Sequence, residues 1–231
     1  GSGDSDIWLI KTDRQGDREW NKTFGGSNWD YGYSVNETDD GGYIITGYTE
    51  SFGRDWSDIW LIKTDSLGNG EWNRIFGNRE YDYGHLVQQT LDGGYITVGV
   101  TRAFYPGFED VWLIKTDREG REEWNRTFGG RSWDKCYAVD QTSDGGFVLT
   151  GSTQLMEDRG SDVWLIKTDS QGISQWKRLF DASDSDDVYS VHQTTDGGYV
   201  ITGFTESAVE GASDLLLIKT DPGGNVPPDG K

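Results

Sequence analysis

An eight-residue segment, Asp-x-Trp-Leu-Ile-Lys-Thr-Asp, returns at a fixed interval along this chain. It begins at Asp6, Asp58, Asp110 and Asp162, and a variant, Asp-Leu-Leu-Leu-Ile-Lys-Thr-Asp, begins at Asp214. The interval is 52 residues each time. A fixed period of this length is typical of proteins built from similar units packed side by side. Four full periods span residues 6 to 213, and the opening segment of a fifth follows them.

Each period contains four short runs rich in aromatic and β-branched residues, bounded by Gly or Asp. In the first full set these runs are residues 33–38, 42–49, 58–65 and 71–76, which we name strands A, B, C and D. Glycine-containing turns of a few residues join A to B and C to D, so these neighbours must be antiparallel. Four antiparallel strands in a repeat of this length predict the blade of a β-propeller.

The predicted fold is all-β, a four-bladed β-propeller of 52-residue, four-stranded repeats, because five complete blades at this period would need about 260 residues. A single domain over residues 1–221 with a Pro/Gly tail over 222–231 is expected. The repeated Trp residues are expected to pack between blades. The D-type strand at residues 18–24 is expected to close the last blade, since Val226-Pro227-Pro228 cannot form a ladder of hydrogen bonds.

The strand count exceeds what a closed four-bladed ring needs. Such a ring has 16 strands, and the sequence offers one more, because two C-type strands compete for one place in the last blade. The surplus strand either adds to a blade of the same molecule or pairs with another molecule and builds a filament or tube. The residues assigned to this assembly role are Ile7, Trp8, Leu9, Ile10, Leu215, Leu216, Leu217 and Ile218.

Composition argues against several classes of partner and against a disulfide cross-link. The 40 acidic and 21 basic residues give a formal charge of -19, which repels nucleic acid and anionic membranes. The single cysteine, Cys136, excludes an intrachain disulfide, and no run is long enough for a membrane-spanning helix. The acidity suits a secreted protein, a salty medium or bound cations.

Three repeated patterns resemble a known group of sequences. They are Trp-Leu-Ile-Lys-Thr-Asp-x-x-Gly, Trp-Asn-[Lys/Arg]-x-Phe-Gly and Asp-Gly-Gly-Tyr-x-x-x-Gly-x-Thr. They are similar to the tandem β-propeller repeats of archaeal and bacterial secreted or cell-surface proteins. The resemblance covers nearly the whole chain and implies a propeller fold and an extracellular or cell-surface location.

Repeated aspartates are expected to cap turns, with calcium as the alternative. The largest departure from the repeat is an acidic loop, whose carboxylates repel one another unless solvated or bridged by a cation. A solvated loop and a calcium site both remain open there. The candidate metal ligands are Asp181, Asp184, Asp186 and Asp187.

Aromatic–aspartate pairs precede strand A and suggest sugar binding, because an aromatic plate beside a carboxylate can stack on a sugar and bind its hydroxyls. The alternative is that the aromatics fill gaps between blades. The candidate residues are Trp29, Asp30, Tyr81, Asp82, Trp133 and Asp134.

No catalytic motif appears, so the sequence predicts no enzyme. The predicted function is a non-enzymatic, extracellular structural protein that assembles with itself into an oligomer, filament or tube, with calcium as a candidate stabilising ion. A lectin-like, carbohydrate-binding propeller is the second hypothesis. A glycoside-processing enzyme is the third.

Overall fold

The computed structural model describes residues 3–54, 56–102, 108–154, 160–180, 186–206 and 213–227. These residues form seventeen β-strands and, in the described ranges, no helix. None of these ranges therefore supplies a helix with the length and apolarity to span a bilayer. The strands are Ile7–Thr12 (β1), Arg18–Phe24 (β2), Asp30–Glu37 (β3), Tyr43–Thr49 (β4), Asp58–Thr64 (β5), Gly70–Phe76 (β6), Asp82–Gln89 (β7), Tyr95–Thr101 (β8), Asp110–Thr116 (β9), Glu122–Phe128 (β10), Trp133–Gln141 (β11), Phe147–Gln154 (β12), Asp162–Thr168 (β13), Ser174–Phe180 (β14), Asp186–Gln193 (β15), Tyr199–Glu206 (β16) and Ser213–Thr220 (β17).

The strands form five sheets in which chain neighbours are also hydrogen-bonded neighbours. Three sheets have four strands, β3 to β6, β7 to β10 and β11 to β14, one has two, β1 and β2, and one has three, β15 to β17. The pairs whose register is resolved are antiparallel. The all-β prediction and the repeated four-stranded sheets of a propeller are confirmed. The number of blades and the closure of a ring remain predictions.

Both C-type strands find a partner without competing for one place. β1 pairs with β2 in the two-stranded sheet, and β17 pairs with β16 along its whole length. The expected pairing of residues 18–24 with the last blade is therefore replaced by pairing with β1. Residues beyond 221 continue the repeat, since Asp221 and Asn225 form the same backbone turn that joins C to D elsewhere.

The chain divides into two compact units. Unit 1 comprises Gly1–Pro106 and Leu113–Glu123, and unit 2 comprises Gly107–Trp112 and Trp124–Lys231. Each has its own apolar core of A-strand, B-strand and C-strand residues. In unit 1 Trp60 packs with Ile7 and Leu9 of the preceding sheet, and in unit 2 Leu165 packs with Val191.

Trp residues of the D strands are covered by the following repeat, as the prediction of packing between repeats requires. A Cβ on Gly68 would lie 2.6 Å from Trp20, and Gly120 and Gly172 approach Trp72 and Trp124 in the same way. These three glycines also have φ of 72° to 74°, which residues with a side chain rarely adopt. Each C–D turn therefore requires glycine for two reasons, its backbone conformation and the close approach of the Trp ring. Trp8 departs from the prediction, being 61% exposed on the first sheet.

Each A strand contains a β-bulge at the same place. In β3, Gly32 pairs with Gly47 and Ser34 with Thr46, so Tyr33 is the extra residue. The equivalent extra residues in β7, β11 and β15 are His85, Tyr137 and Tyr189. A bulge bends the strand and redirects its side chain, and here that side chain is aromatic each time.

Candidate functional site

Unit 1 carries a group of eight ring side chains, which we call the aromatic surface. Alternation along β3 and β7 puts every second residue on one face, and both strands present rings there. Trp29 stacks on Tyr31 at 5.9 Å between ring centroids and 7° between planes, and Tyr31 stacks on Tyr48 at 5.2 Å. The members are Trp29, Tyr31, Tyr33, Tyr48, Trp56, Tyr81, Tyr83 and His85.

The two strands are joined into one surface through Tyr48. Its ring meets Tyr83 edge-on at 4.9 Å, and Tyr33 meets His85 edge-on at 6.1 Å. Trp29 is 44% exposed, Tyr33 54% and Trp56 53%, so several ring faces remain open to solvent. An aromatic cluster formed only for core packing would be buried, so this surface needs another explanation.

Burial raises the pKa of Tyr48 and of Tyr33, two phenols of this surface, above the ordinary value, and neighbouring tyrosines add to both shifts. Neutral phenols can donate and accept hydrogen bonds at their edges while their rings offer apolar faces. This combination of apolar plate and polar rim is what the two faces of a sugar ring require.

Unit 2 carries a cavity of about 240 Å³, which we call the unit 2 pocket. Trp133 and Lys135 from β11 line it beside Asp187 from β15. The remaining lining residues are Ser152, Gln154, Gly160 and Ser161. The pocket thus combines one ring, one cation and one carboxylate with hydroxyl and amide groups.

Two carboxylates contribute to the raised pKa of Tyr137, which lies next to this pocket. Burial raises the pKa of Tyr137 to about 12, and the charges of Asp187 and Glu109 contribute to the shift. Tyr137 also bonds to Ser152 and packs against Tyr189 at 5.5 Å. Both Asp187 and Glu109 therefore lie close to the same phenol.

The structure separates the aromatic–aspartate pairs that the sequence suggested. Trp29, Tyr81 and Trp133 lie at the aromatic surface or the unit 2 pocket, but their aspartate partners point the other way. Their exposed fractions are 1% for Asp30, 0% for Asp82 and 4% for Asp134. Successive residues of a strand face opposite sides, which separates each buried carboxylate from the ring before it. Sugar binding by these three aspartates stays a prediction, and their burial argues against it.

The acidic loop proposed as a metal site is only partly described. Asp181 and Asp184 lie outside the described residues. Asp186 is fully buried, whereas Asp187 lines the unit 2 pocket. Within the described ranges no group of three or more Asp, Glu, His or Cys side chains is placed to hold a metal.

The residues assigned to assembly alternate between core and solvent. Ile7 and Leu9 are buried in unit 1, and Trp8 and Ile10 on the same strand are 61% and 42% exposed. In unit 2, Leu216 and Ile218 pack on the core while Leu215 and Leu217 face outward. One face of each strand therefore already packs within the molecule, and only the other face is exposed to solvent.

Sequence reasoning missed most of the aromatic surface and the polar half of the pocket. Tyr31, Tyr83 and Lys135 occupy equivalent positions of strand A, two residues after the predicted aromatics Trp29, Tyr81 and Trp133. Following the period-two alternation beyond the loop would have found them. Tyr48 and Ser152 come from strand B, and only the pairing of strands brings them to these sites.

Comparison with known proteins gives similarity in structure alone. No protein-family model matches the chain, and no curated protein matches its sequence. An endo-arabinase from Bacteroides thetaiotaomicron is similar with a TM-score of 0.49 and 9% identity, covering 83% of this chain and 73% of that one. A Bifidobacterium bifidum protein described as an exo-beta-1,3-galactanase gives 0.46 and 14%, covering 96% and 74%. A GH43 endo-arabinanase from Bacillus licheniformis gives 0.28 and 10%, covering 83% and 94%.

These comparisons contradict the functional prediction. The three similar structures named above are described as glycoside-processing enzymes. The prediction of a non-enzymatic protein that forms filaments or tubes is therefore wrong. At 9% to 14% identity the likeness concerns the fold, so the chemistry must be argued from this chain's own residues.

Proposed function

We propose that the protein binds carbohydrate, and that the aromatic surface of unit 1 is the binding site. The observation that carries this proposal is the continuous set of eight rings, several of them about half exposed, on β3, β4 and β7 and on the segments that precede β3 and β7. Exposed apolar area of this kind marks a recognition surface, and ring faces stack on the C–H faces of sugars.

The chemistry of the surface favours an uncharged glycan. The formal charge of -19 repels acidic polysaccharides, and the surface offers phenols and one imidazole rather than a cluster of cations. Several rings in sequence suit a chain of sugars better than a single one. Neutral arabinan and galactan are suitable probes, since enzymes with these substrate names share the fold.

Isothermal titration with soluble neutral glycans tests the proposal. Trp29→Ala and Tyr33→Ala should each weaken binding about 5- to 30-fold, which corresponds to about 1–2 kcal/mol for one stacking ring. Trp8→Ala is the matched control, because Trp8 in unit 1 is more exposed than either residue but lies outside the aromatic surface. Binding of none of the probes, or an equal loss in the control, would overturn the proposal.

A second candidate function, glycoside hydrolysis, is favoured by the unit 2 pocket. Asp187 lines the pocket, and the charges of Asp187 and Glu109 both contribute to the raised pKa of Tyr137. Glycosidases use two carboxylates, one to protonate the leaving oxygen and one as base or nucleophile. Trp133 would orient the sugar ring. The pocket volume suits a single sugar unit.

Turnover of chromogenic arabinosides and galactosides tests this second function. Asp187→Asn and Glu109→Gln should each lower kcat by about 100-fold or more, whereas Asp140→Asn, which removes a carboxylate that contacts His192 in the same unit, should leave it unchanged. Absence of turnover in the unaltered protein would eliminate hydrolysis and leave glycan binding intact.

A glycan-binding role accords with an extracellular or cell-surface location, which we retain as part of the proposal. The resemblance of the repeats to those of secreted and cell-surface proteins supports it. Cell fractionation with an antibody against the protein would test it, and a purely cytoplasmic signal would contradict it.

A further inference from the structure

The aromatic surface and the unit 2 pocket are built on equivalent positions of the repeat. Three positions, two on A strands and one on a B strand, carry tyrosines in unit 1 and have counterparts two periods later in unit 2. The counterpart of Tyr31 is Lys135, that of Tyr48 is Ser152 and that of Tyr83 is Asp187. The strands also pair in the same register, with Tyr31 opposite Tyr48 and Lys135 opposite Ser152. The two sites can therefore be compared position by position.

In unit 1 these three positions are filled by rings in contact. Tyr31 stacks on Tyr48 at 5.2 Å between ring centroids, and Tyr83 meets Tyr48 edge-on at 4.9 Å. In unit 2 the same positions carry an ammonium, a hydroxyl and a carboxylate, and these three side chains line the cavity of about 240 Å³. A side chain smaller than its counterpart leaves a gap wherever the neighbours do not collapse into it. The unit 2 pocket thus occupies the place that tyrosine rings fill in unit 1.

The two charged groups of the pocket do not neutralise each other. Among the residues that the structure describes, neither Lys135 nor Asp187 forms an ion pair, although both line the same cavity. A ligand that accepts a hydrogen bond from the ammonium and donates one to the carboxylate satisfies both groups. Neighbouring hydroxyls of a sugar can do so, because each hydroxyl is at once a donor and an acceptor, and hydrogen bonds to charged groups are the stronger kind.

Rings lie beside the pocket in an arrangement that repeats part of the aromatic surface. Tyr137 and Tyr189, the extra residues of two A-strand bulges, contact each other at 5.5 Å, and Tyr189 contacts Phe204 at 6.1 Å. Tyr33 and Tyr48 make the equivalent contact of bulge residue with B strand in unit 1, at 6.0 Å. Tyr189 is 56% exposed, so a ring face is open to a ligand next to the polar groups of the pocket.

We propose that the unit 2 pocket is a second carbohydrate site, which binds one sugar ring at a chain end or branch, so that a single protein chain engages two glycans at once. The inference rests on the proposed function for the class of ligand and does not depend on turnover. The aromatic surface is a continuous row of rings and suits consecutive sugars, whereas the cavity of about 240 Å³ suits one. The two sites should therefore differ in the smallest ligand that they bind.

Isothermal titration with methyl arabinoside and methyl galactoside, each a single sugar unit, tests the second site, and one of them should bind once per chain. Ser152→Tyr installs the ring that unit 1 has at the equivalent position and should abolish this binding, whereas Ser152→Ala keeps the pocket open and should weaken it by no more than about 5-fold. Lys135→Met and Asp187→Asn should each weaken it about 10-fold or more, because each removes a charged hydrogen-bonding group. Leu179→Ala, at a half-exposed position of unit 2 outside the pocket, is the control and should change nothing.

Turbidity of branched arabinan or galactan tests whether one chain joins two glycans. The unaltered protein should cloud the solution, and Ser152→Tyr should still bind the polymer but give no turbidity, since one remaining site cannot join two glycans. Circular dichroism spectra confirm that each variant is folded. If the polymer binds but neither methyl glycoside does, or if Ser152→Tyr binds a methyl glycoside as the unaltered protein does, the second site is refuted and the proposed function stands. If neither polymer nor methyl glycoside binds, the proposed function fails as well.

Discussion

The four repeats present a graded test of what a buried lysine requires. In four C strands the Lys binds the Asp of the A–B turn, as Lys115 binds Asp92 at 2.9 Å and Lys167 binds Asp144 at 2.8 Å, whereas Lys11 of β1 bonds to Tyr43. The lysines are 4% exposed in both cases, yet their second partners differ. Lys115 also contacts Glu123 at 2.9 Å, whereas Lys167 has the uncharged Gln175. Lys219, at 44%, is much more open.

Neutralising the turn aspartate should therefore cost different amounts. Burial opposes ionisation of Asp92 and Asp144, but hydrogen bonds from lysine and threonine lower each pKa to about 2. That shift corresponds to about 2.5 kcal/mol, reduced to about 1 kcal/mol because these carboxylates are more than half exposed. Asp144→Asn has a further cost, since Lys167 then keeps no counter-charge, which raises the total to about 3 kcal/mol.

Urea unfolding at pH 7 measures these differences, with Asp92→Asn expected to cost about 1 kcal/mol and Asp144→Asn about 3 kcal/mol. Asp196→Asn should cost least, because Lys219 can turn to water. Gln175→Glu should restore most of the loss in the Asp144→Asn background. Equal costs in all three single variants would refute the reasoning and show that the exposed aspartate, rather than the buried lysine, sets the free energy.

Three further outcomes are expected. Burial and a neighbouring aspartate raise the pKa of Asp82 to about 6, so the folded protein holds this proton more tightly than the unfolded chain does. The melting temperature in EDTA should therefore fall as the pH rises from 4 to 6, and it should fall less in Asp82→Asn. Cys136 is fully buried with a raised pKa, so Ellman's reagent should react with it only in denaturant. Gly151→Ala places a Cβ against Lys135 O and should cost more than about 2 kcal/mol, whereas Gly130→Ala should change the melting temperature little.

The period and the turn chemistry predicted the sheets because both are local. Asp65 accepts from Leu67 N at 2.9 Å and Asn69 N at 2.8 Å, as expected of an aspartate that caps the C–D turn. The pairing of β1 with β2 follows the same C–D turn rule. The expectation that residues 18–24 close the last blade came instead from counting the strands of a ring, which local residue patterns do not determine.

The candidate sites were harder to predict because they arise from several strands. The aspartates after Trp29 and Trp133 suggested sugar contacts, but whether a carboxylate is buried depends on the neighbouring repeat. The sequence does not predict the buried lysines. Lys63 in a strand of Ile-Trp-Leu-Ile gives no sign in the sequence that Asp40 and Glu71 lie at 2.9 Å from it.

The contact between each C–D turn and the preceding D-strand Trp has a consequence for how such chains can grow or shrink. Trp176 is covered by the turn at Gly224, which belongs to the following period rather than to its own sheet. A hydrogen-bonded sheet is therefore not a self-sufficient segment, because the turn that covers its D-strand Trp is encoded further along the chain. If a stretch of 52 residues is gained or lost, every such contact is kept, wherever in the repeat the stretch begins. If one hydrogen-bonded sheet is removed by itself, the indole that its C–D turn covered is left exposed. Duplication in this sequence can thus be neutral to packing wherever recombination falls, provided that the period is preserved.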